Sequence, residues 1–495
     1  VDGDILIDGT GSQGVEVQAS IIRSTGAALI EIVGVGDDRD GIEIDDSTIN
    51  SLGTGTITLD GTTNGDDGVF LNDGTNEIAS VAGNIFITGA TMGTGVGAHG
   101  VHIDSGITLV INATNAANIT LTGTGDGANE AVEIDSPISS GSGNVTITSL
   151  NGGSTTDDIL FGAGGDITSI SGTITIDADN AGSTADVFMA DESVIDAGSG
   201  IIDIDASVDV TLGSLVTTTE VQINAVAGAI IDGGDTDVDI MAATAVLRAF
   251  TGIGDASVDA SDIDVSVTSL AATTTTGDIS ISDDAGLDIT TVDGLSGVTI
   301  TTGGAGDDIL LREGNAAGSD NLVISQAISN AGVGNVTLFA DGTASQDDNL
   351  NINANVTAAG GDVLIVSFED VDFSSAPTVS TNGMGTIDIH AGRVFNFGAA
   401  LTLGSTTADI LEGGSNEYTV QSARGTVTMT ATRNVELETV NAGASGTVIV
   451  TADSDSDGTG AITDALNAET ANITAQSAAL RAGDGIGSGE AAHDA

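Results

Sequence analysis

Along most of the chain, apolar and polar residues alternate in short runs bounded by Gly, Asn and Asp. The pattern is clearest in Gly55-Thr-Ile-Thr-Leu59, Asn84-Ile-Phe-Ile-Thr88, Asn118-Ile-Thr-Leu-Thr122, Asn144-Val-Thr-Ile-Thr148 and Gly172-Thr-Ile-Thr-Ile176. It returns as Gly277-Asp-Ile-Ser-Ile281, Gly297-Val-Thr-Ile-Thr301, Asn335-Val-Thr-Leu338, Gly385-Thr-Ile-Asp-Ile389 and Gly425-Thr-Val-Thr-Met429. A period of two puts Ile, Val and Leu on one face of a pleated strand and Thr or Ser on the other. Gly and Asn at the starts supply the positive φ that turns need. These runs predict strands. Helical periodicity is nearly absent, and the Ala-rich stretch from Ile462 to Ser477 runs into a repeated strand segment.

Run starts lie 29 residues apart from Gly55 to Asn84 and 28 apart from Asn144 to Gly172. That is too long for a hairpin meander. It suits one coil of a three-sided parallel β-helix, a β-solenoid whose coils each add about 4.8 Å along the axis. At roughly 20–29 residues per coil, the chain predicts about 17–25 coils. A longer repeat is superposed: Ile240-Met-Ala-Ala-Thr-Ala-Val-Leu-Arg-Ala-Phe-Thr-Gly-Ile-Gly254 aligns on the fifteen residues from Ile473 to Gly487, with nine identical. Asp157-Asp-Ile-Leu160 likewise returns as Asp307-Asp-Ile-Leu310. No Pro-rich linker or charge block interrupts the chain. Residues 1–495 are therefore expected to form one continuous all-β solenoid, less regular over 1–140 and carrying long duplications over 141–495. The rival is a string of tandem β-sandwich domains, which would bring aromatic anchors, turn prolines and a domain-length period.

Composition favours the solenoid. Hydrophobic residues reach 40% with aromatics at only 2%, and Pro 2, Trp 0 and Tyr 1 leave little from which to build sandwich cores. Such apolar content is too high for a disordered acidic chain. The net charge is -64, from 72 acids against 8 bases, all of them Arg. That balance excludes binding to nucleic-acid phosphate and docking on anionic lipid. It also makes divalent cations natural partners, because they screen carboxylates that repel one another. No apolar run approaches the roughly 18 residues of a membrane-inserted helix. With Cys 0 there are no disulfides, so stability is expected from stacking alone. The chain begins at Val1 without Met or a leader-like segment, as expected of a processed product or a section of something longer. Its first apolar run, Asp4-Ile-Leu-Ile-Asp8, and its close just after Gly487 suggest uncapped coils. Uncapped coils are expected to stack head to tail with identical subunits.

The strongest motif for chemistry is Asp453-Ser-Asp455-Ser-Asp457-Gly458-Thr459, followed by Asp464. It matches the oxygen-ligand spacing of an EF-hand loop, with Asp453, Asp455, Asp457, Thr459 and Asp464 as calcium ligands. Asp464 is short for bidentate capture, Gly460 replaces an aliphatic residue and flanking helices are lacking. An acidic turn between strands is the alternative. The segment Gly303-Gly-Ala-Gly306-Asp-Asp308-Ile-Leu310 matches one nonapeptide of a calcium β-roll, a design that needs successive copies. It reads as a turn followed by a strand.

Parallel β-helices also host polysaccharide-degrading enzymes, which need cationic groups for uronates or acid pairs with His or cationic partners. Here Lys is absent and the four His (His99, His102, His390, His493) are scattered. Only His99 and His102 are neighbours. They could touch a metal, but a loop and a strand position suffice to explain them. No catalytic or cofactor-binding residue is expected. Arg248 and Arg481 occupy equivalent repeat positions, which suggests a repeated ion pair or carbonyl contact. The sequons at Asn112, Asn118, Asn144, Asn335, Asn355 and Asn472 mostly coincide with strand starts, where Asn serves the turn.

The Leu-Arg-Ala…Gly-Ile-Gly segment, the run Ser269-Leu-Ala-Ala-Thr-Thr-Thr-Thr-Gly-Asp278 and Thr291-Val-Asp-Gly-Leu-Ser-Gly-Val-Thr299 resemble the strand repeats of very large bacterial surface proteins. Those proteins are similar to filamentous-haemagglutinin-type adhesins. The resemblance covers roughly residues 140–495, and the rest by composition only. It implies a right-handed parallel β-helix, export to the cell surface, and a structural or adhesive role as a stalk or self-assembling filament. A polyanionic, cation-binding surface-layer protein is the alternative.

Overall fold

The computed structural model describes the chain outside residues 1–2, 73, 94–96, 106–110, 114, 126–128, 151–157, 179–183, 235–236, 258–260, 285, 305, 315–320, 342–347, 395–400, 413–416, 466–469 and 488–495. Val1, Asp157, Ala305 and His493, named above, lie outside the described residues. Among the described residues every regular element is a strand and none is a helix. The strands stack in parallel as a β-solenoid of about 16 turns, not as sandwiches. The number falls below the expected one because several coils are long; 34 residues separate Ile85 from its partner Ile119 in the next coil. Contacts divide the chain into two compact units, Val1–Ala243 and Thr244–Ala495.

In the first unit each coil contributes one strand to each of three ladders. The first ladder includes Ile5–Gly11, Ile30–Gly36, Ile57–Thr63 and Ile85–Thr91, paired in parallel and in strict register. One column runs Ile30, Ile57, Ile85, Ile119, Val145, Ile174 and Ile202, and a second runs Ile32, Leu59, Ile87, Leu121, Ile147, Ile176 and Ile204. All of these are buried. Between them Thr58, Thr120, Thr146 and Thr175 face outward. β-branched residues suit this arrangement because a stiff side chain stacks on its copy without losing rotamers.

Corners are closed by small residues. Gly9, Gly34, Gly61, Gly89 and Gly123 form one column, and a Cβ on Gly61 would lie 2.0 Å from the Gly68 carbonyl oxygen. At another corner the buried Ser51 Oγ donates to the Gly55 carbonyl at 2.7 Å, and Ser140 Oγ donates to Gly143 at 2.9 Å.

A second set of side chains joins coil to coil. The Asn118 N–H donates to Asn84 Oδ1 at 3.0 Å, Asn144 N–H to Asn118 Oδ1 at 2.9 Å, and Thr173 N–H to Asn144 Oδ1 at 3.0 Å. Each Asn oxygen thus accepts from the equivalent backbone position one coil later. Asn118 and Asn144 are two of the sequon residues, so their amide oxygens already have a structural use.

The second unit repeats the plan. Ile263–Thr274 pairs along its length with Ile279–Asp283, Leu287–Ile289 and Val298–Ile300, one strand of each ladder. An aliphatic column runs through Ile279, Ile309, Val336, Val363, Ile387, Val427 and Val448. Here too the corner acceptors are Asp and Asn. Asp308 N–H donates to Asp278 Oδ1 at 2.7 Å, Asn335 N–H to Asp308 at 2.6 Å and Asp362 N–H to Asn335 at 2.9 Å. A parallel series links Asn321, Asn349, Asp370, Asp409 and Asn434 at 2.7–3.1 Å.

Two antiparallel pairs among the described residues depart from the coil, Arg393–Val394 with Thr402–Leu403 and a hairpin near Asp293. Thr291–Val292 pairs with Leu295–Ser296 around Asp293 and Gly294, whose φ values of 44° and 73° are those of a two-residue hairpin turn. Val292 and Leu295 pack on Val246 and Ala271. Arg248 Nη2 donates to the Asp293 carbonyl at 3.1 Å and to its carboxylate at 3.2 Å. Arg481, at the equivalent repeat position, instead donates to Ser456 Oγ at 3.0 Å. The repeat is therefore kept in the backbone more than in the contacts: Gly252 and Gly485 have φ of 153° and 150°.

The corner ladder makes a direct prediction. Asp308→Ala orphans the Asn335 N–H and lowers stability by about 1–3 kcal/mol. Asp308→Asn keeps the acceptor without the charge and leaves stability unchanged or higher. Denaturant unfolding of the two variants, with amide exchange at Asn335, measures the difference.

Candidate functional site

The most concentrated group of titratable side chains in the first unit lies on the second ladder. Val69–Leu71, Val101–Ile103 and Val132–Ile134 stack there, and register places Phe70, His102 and Glu133 in one outward column. At the corner before these strands, the Asp67 N–H donates to Asp40 Oδ1 at 3.1 Å, and the His99 N–H donates to Asp67 Oδ1 at 2.6 Å. The same corner ladder that spaces the coils therefore sets Asp67 beneath His99.

Both imidazoles lean on one carboxylate. His99 Nδ1 lies 2.9 Å from Asp67 Oδ1, and His102 Nδ1 lies 3.1 Å from Asp67 Oδ2. On the other side of the rings, His99 Nε2 is 3.1 Å from Glu130 and 3.0 Å from Glu133 Oε2, and His102 Nε2 is 3.5 Å from that same Glu133 oxygen. The rings meet edge-on with centroids 4.6 Å apart, and Phe70 stacks on His102 at 4.8 Å. The His99 and Asp67 side chains are only 7% and 6% exposed. Asp104 and Asp135 complete the group, each offering an oxygen near His102.

Burial works against a charge on His99, but the hydrogen bonds to Asp67 and Glu130 outweigh it and push its pKa up to about 10. Burial likewise opposes ionisation of Asp67 and Glu130. The hydrogen bonds from His102 and His99 to Asp67, and from His99 to Glu130, win and hold both carboxyls below their usual range. Glu133 is raised by burial, which exceeds the pull of the two His.

From the sequence, His99 and His102 were expected to occupy a loop and a strand position. They do, but the coil also brings them to acids far away in the chain, Asp67 lying 32 positions before His99. The signal was available in principle: one coil from His102 in either direction lands on Phe70 and Glu133. His390 lies elsewhere, on Ile387–Ala391, with its pKa lowered by burial.

In the second unit the expected calcium ligands are partly assembled. Asp453, Asp455 and Asp457 each offer an oxygen within 4.8 Å of the others. Asp453 Oδ1 accepts from the Gly458 N–H at 3.1 Å, and Asp457 Oδ1 accepts from Thr459 Oγ1 at 2.6 Å. The Thr459 hydrogen bonds hold the Asp457 carboxyl below its usual range. Asp455 Oδ1 is buried without a hydrogen-bond partner. Asp464, on Ala461–Asp464, accepts from Asn472 Nδ2 at 2.8 Å. No helix flanks this loop, which connects two strands. Gly303 and Gly306, at φ of 54° and 92°, form a turn before Ile309–Gly314, and Asp308 there serves the corner ladder.

On the third ladder of the first unit, an open trough of about 550 Å³ is lined by Asn112, Ser139, Thr168, Asp196 and Ile170. Ile170 is 74% exposed.

Glu438 is buried, and the Tyr418 backbone only partly offsets that burial. Burial, with Glu412 and Glu417 nearby, pushes its pKa from 4.5 up to about 7. The folded state thus holds a proton there that the unfolded chain has already released. This contribution to stability is complete below about pH 4.5 and is lost as pH rises through about 7. Glu438→Gln should flatten that part of the pH–stability curve and raise the melting temperature at pH 8. Melting curves from pH 4 to 8 measure both.

Compared with protein-family models, curated proteins and solved structures, the chain matches none.

Proposed function

We propose that this chain is an extracellular structural or adhesive protein of the bacterial cell surface, in keeping with its likeness to filamentous-haemagglutinin-type repeats. The observation that carries the reading is the repetition of outward columns such as Thr120, Thr146 and Thr175, coil after coil. Such a frame multiplies one polar surface instead of converging unlike groups on a substrate. The trough at Asn112, Ser139 and Thr168 adds hydroxyl and amide groups beside an exposed aliphatic side chain, a surface suited to weak, multivalent contact.

Displayed on a bacterial surface, the chain should increase attachment of cells to glycan-coated or abiotic supports, and a screen of polysaccharides should show no cleavage. Turnover that disappears on changing one acidic residue would overturn this reading.

A cation-binding side to the same role is favoured by the oxygen-only group at Asp453, Asp455 and Asp457, with one oxygen of Asp455 unsatisfied. Calcium should raise the melting temperature and chelation should lower it. Calorimetry on Asp455→Ala and Asp457→Ala should show loss of a calcium-binding event; unchanged binding would reduce the loop to a turn.

A further inference from the structure

The side chains around His99 and His102 are arranged unlike any others in the described part of the chain. Elsewhere acidic residues gather without imidazoles, as at Asp453, Asp455 and Asp457. Here Asp67, Asp104, Glu130, Glu133 and Asp135 surround two imidazoles. Five carboxylates exceed what two imidazoles can neutralise even if both are charged, and the centre of the group is largely shielded from water.

We propose that this group binds one divalent transition-metal ion of the zinc class, with His99 and His102 as nitrogen donors through Nε2 and with Glu133 and Glu130 as oxygen donors. Asp67 is a positioning residue. Its two oxygens each accept from one Nδ1–H, which turns both Nε2 atoms toward Glu133; a bound ion takes the place of the Nε2 proton. A carboxylate behind the imidazole is the usual means of orienting and strengthening a metal-bound His. Donor spacing comes close. Bonds of about 2.0–2.2 Å in a tetrahedral array set neighbouring donors roughly 3.3–3.5 Å apart. His99 gathers with Glu130 and Glu133, and the three Nε2-to-carboxylate separations of 3.1, 3.0 and 3.5 Å need adjust by only a few tenths of an ångström.

The donor set selects the class of ion. Two imidazoles with carboxylates suit zinc, cobalt or nickel, whereas calcium and magnesium take oxygen alone, as at Asp453–Asp457. Rigidity comes from the ladder, because the donors sit on adjacent coils whose register is fixed on both sides. Phe70 covers one face of His102 and limits its rotation. The structural role of the coil stands whether or not a metal binds.

The test uses the whole chain in excess calcium and magnesium, so that surface carboxylates are occupied. Zinc is titrated by calorimetry and cobalt by visible absorption. One equivalent should bind, with cobalt giving the strong visible bands of a four-coordinate site with imidazole donors. His99→Ala and His102→Gln should each abolish the bands, and Asp67→Asn should weaken zinc binding by about 10–100-fold. Asp453→Ala should change neither readout. Circular dichroism of each variant checks that the coil remains folded, and His102→Gln, on an outward position, serves where His99→Ala does not. Absence of saturable one-equivalent uptake in the parent chain overturns the proposal. So does cobalt absorption that persists in folded His102→Gln.

Discussion

The structure depends on a hydrogen bond that crosses from one coil to the next: a corner Asn or Asp oxygen accepting the backbone N–H of the equivalent residue one coil later. Within a strand, the parallel ladder satisfies the backbone. At a corner the chain changes direction, the ladder is interrupted, and the backbone N–H needs another acceptor. Asn84, Asn118 and Asn144 in the first unit, and Asp278, Asp308 and Asn335 in the second, supply that partner. Because the acceptor must lie under the donor, these side chains also fix the register of the Ile and Val columns beside them.

That requirement explains much of the unusual composition. Asn and Asp are equivalent as acceptors, so a corner can carry a negative charge without losing its bond. Stacked Asp residues then repel and are partly desolvated; burial raises the carboxyl groups of Asp186, Asp278 and Asp370, with the neighbouring Asp residue adding to it in each case. Cationic neutralisation is sparse. Arg433, which holds Asp409 through two nitrogens, is one of few such pairs among the described residues. The acidity is thus partly built into the frame and not only a feature of the solvated surface.

The strand runs were legible from the sequence because alternation with Gly or Asn starts is a local signal. The runs beginning at Asn118 and Asn144 both occupy the first-ladder position of their coils. What pairs with what was less legible. Coil length varies from 18 residues between Ile263 and Ile281 to 41 between Thr378 and Thr419, so no constant period predicts which residues stack. That is why Asp453, Asp455 and Asp457, close in sequence, were found as a group. It is also why His99 and His102 were noticed only as a pair. Their partners Asp67, Glu130 and Glu133 become neighbours only once three unequal coils are laid in register.

The corner bonds also have a direction. In the Asn84–Asn118–Asn144 and Asp278–Asp308–Asn335 series, the earlier coil provides the side-chain acceptor and the later coil the backbone donor. A completed coil therefore presents its side-chain acceptors to residues that follow it, while its own strand-leading N–H groups, such as that of Ile85, are met by carbonyls of the next coil. A chain emerging N-terminus first, from a ribosome or through a narrow pore, meets its pattern already in place. Coils can then be laid down in order of arrival, each one closing the valences of the last.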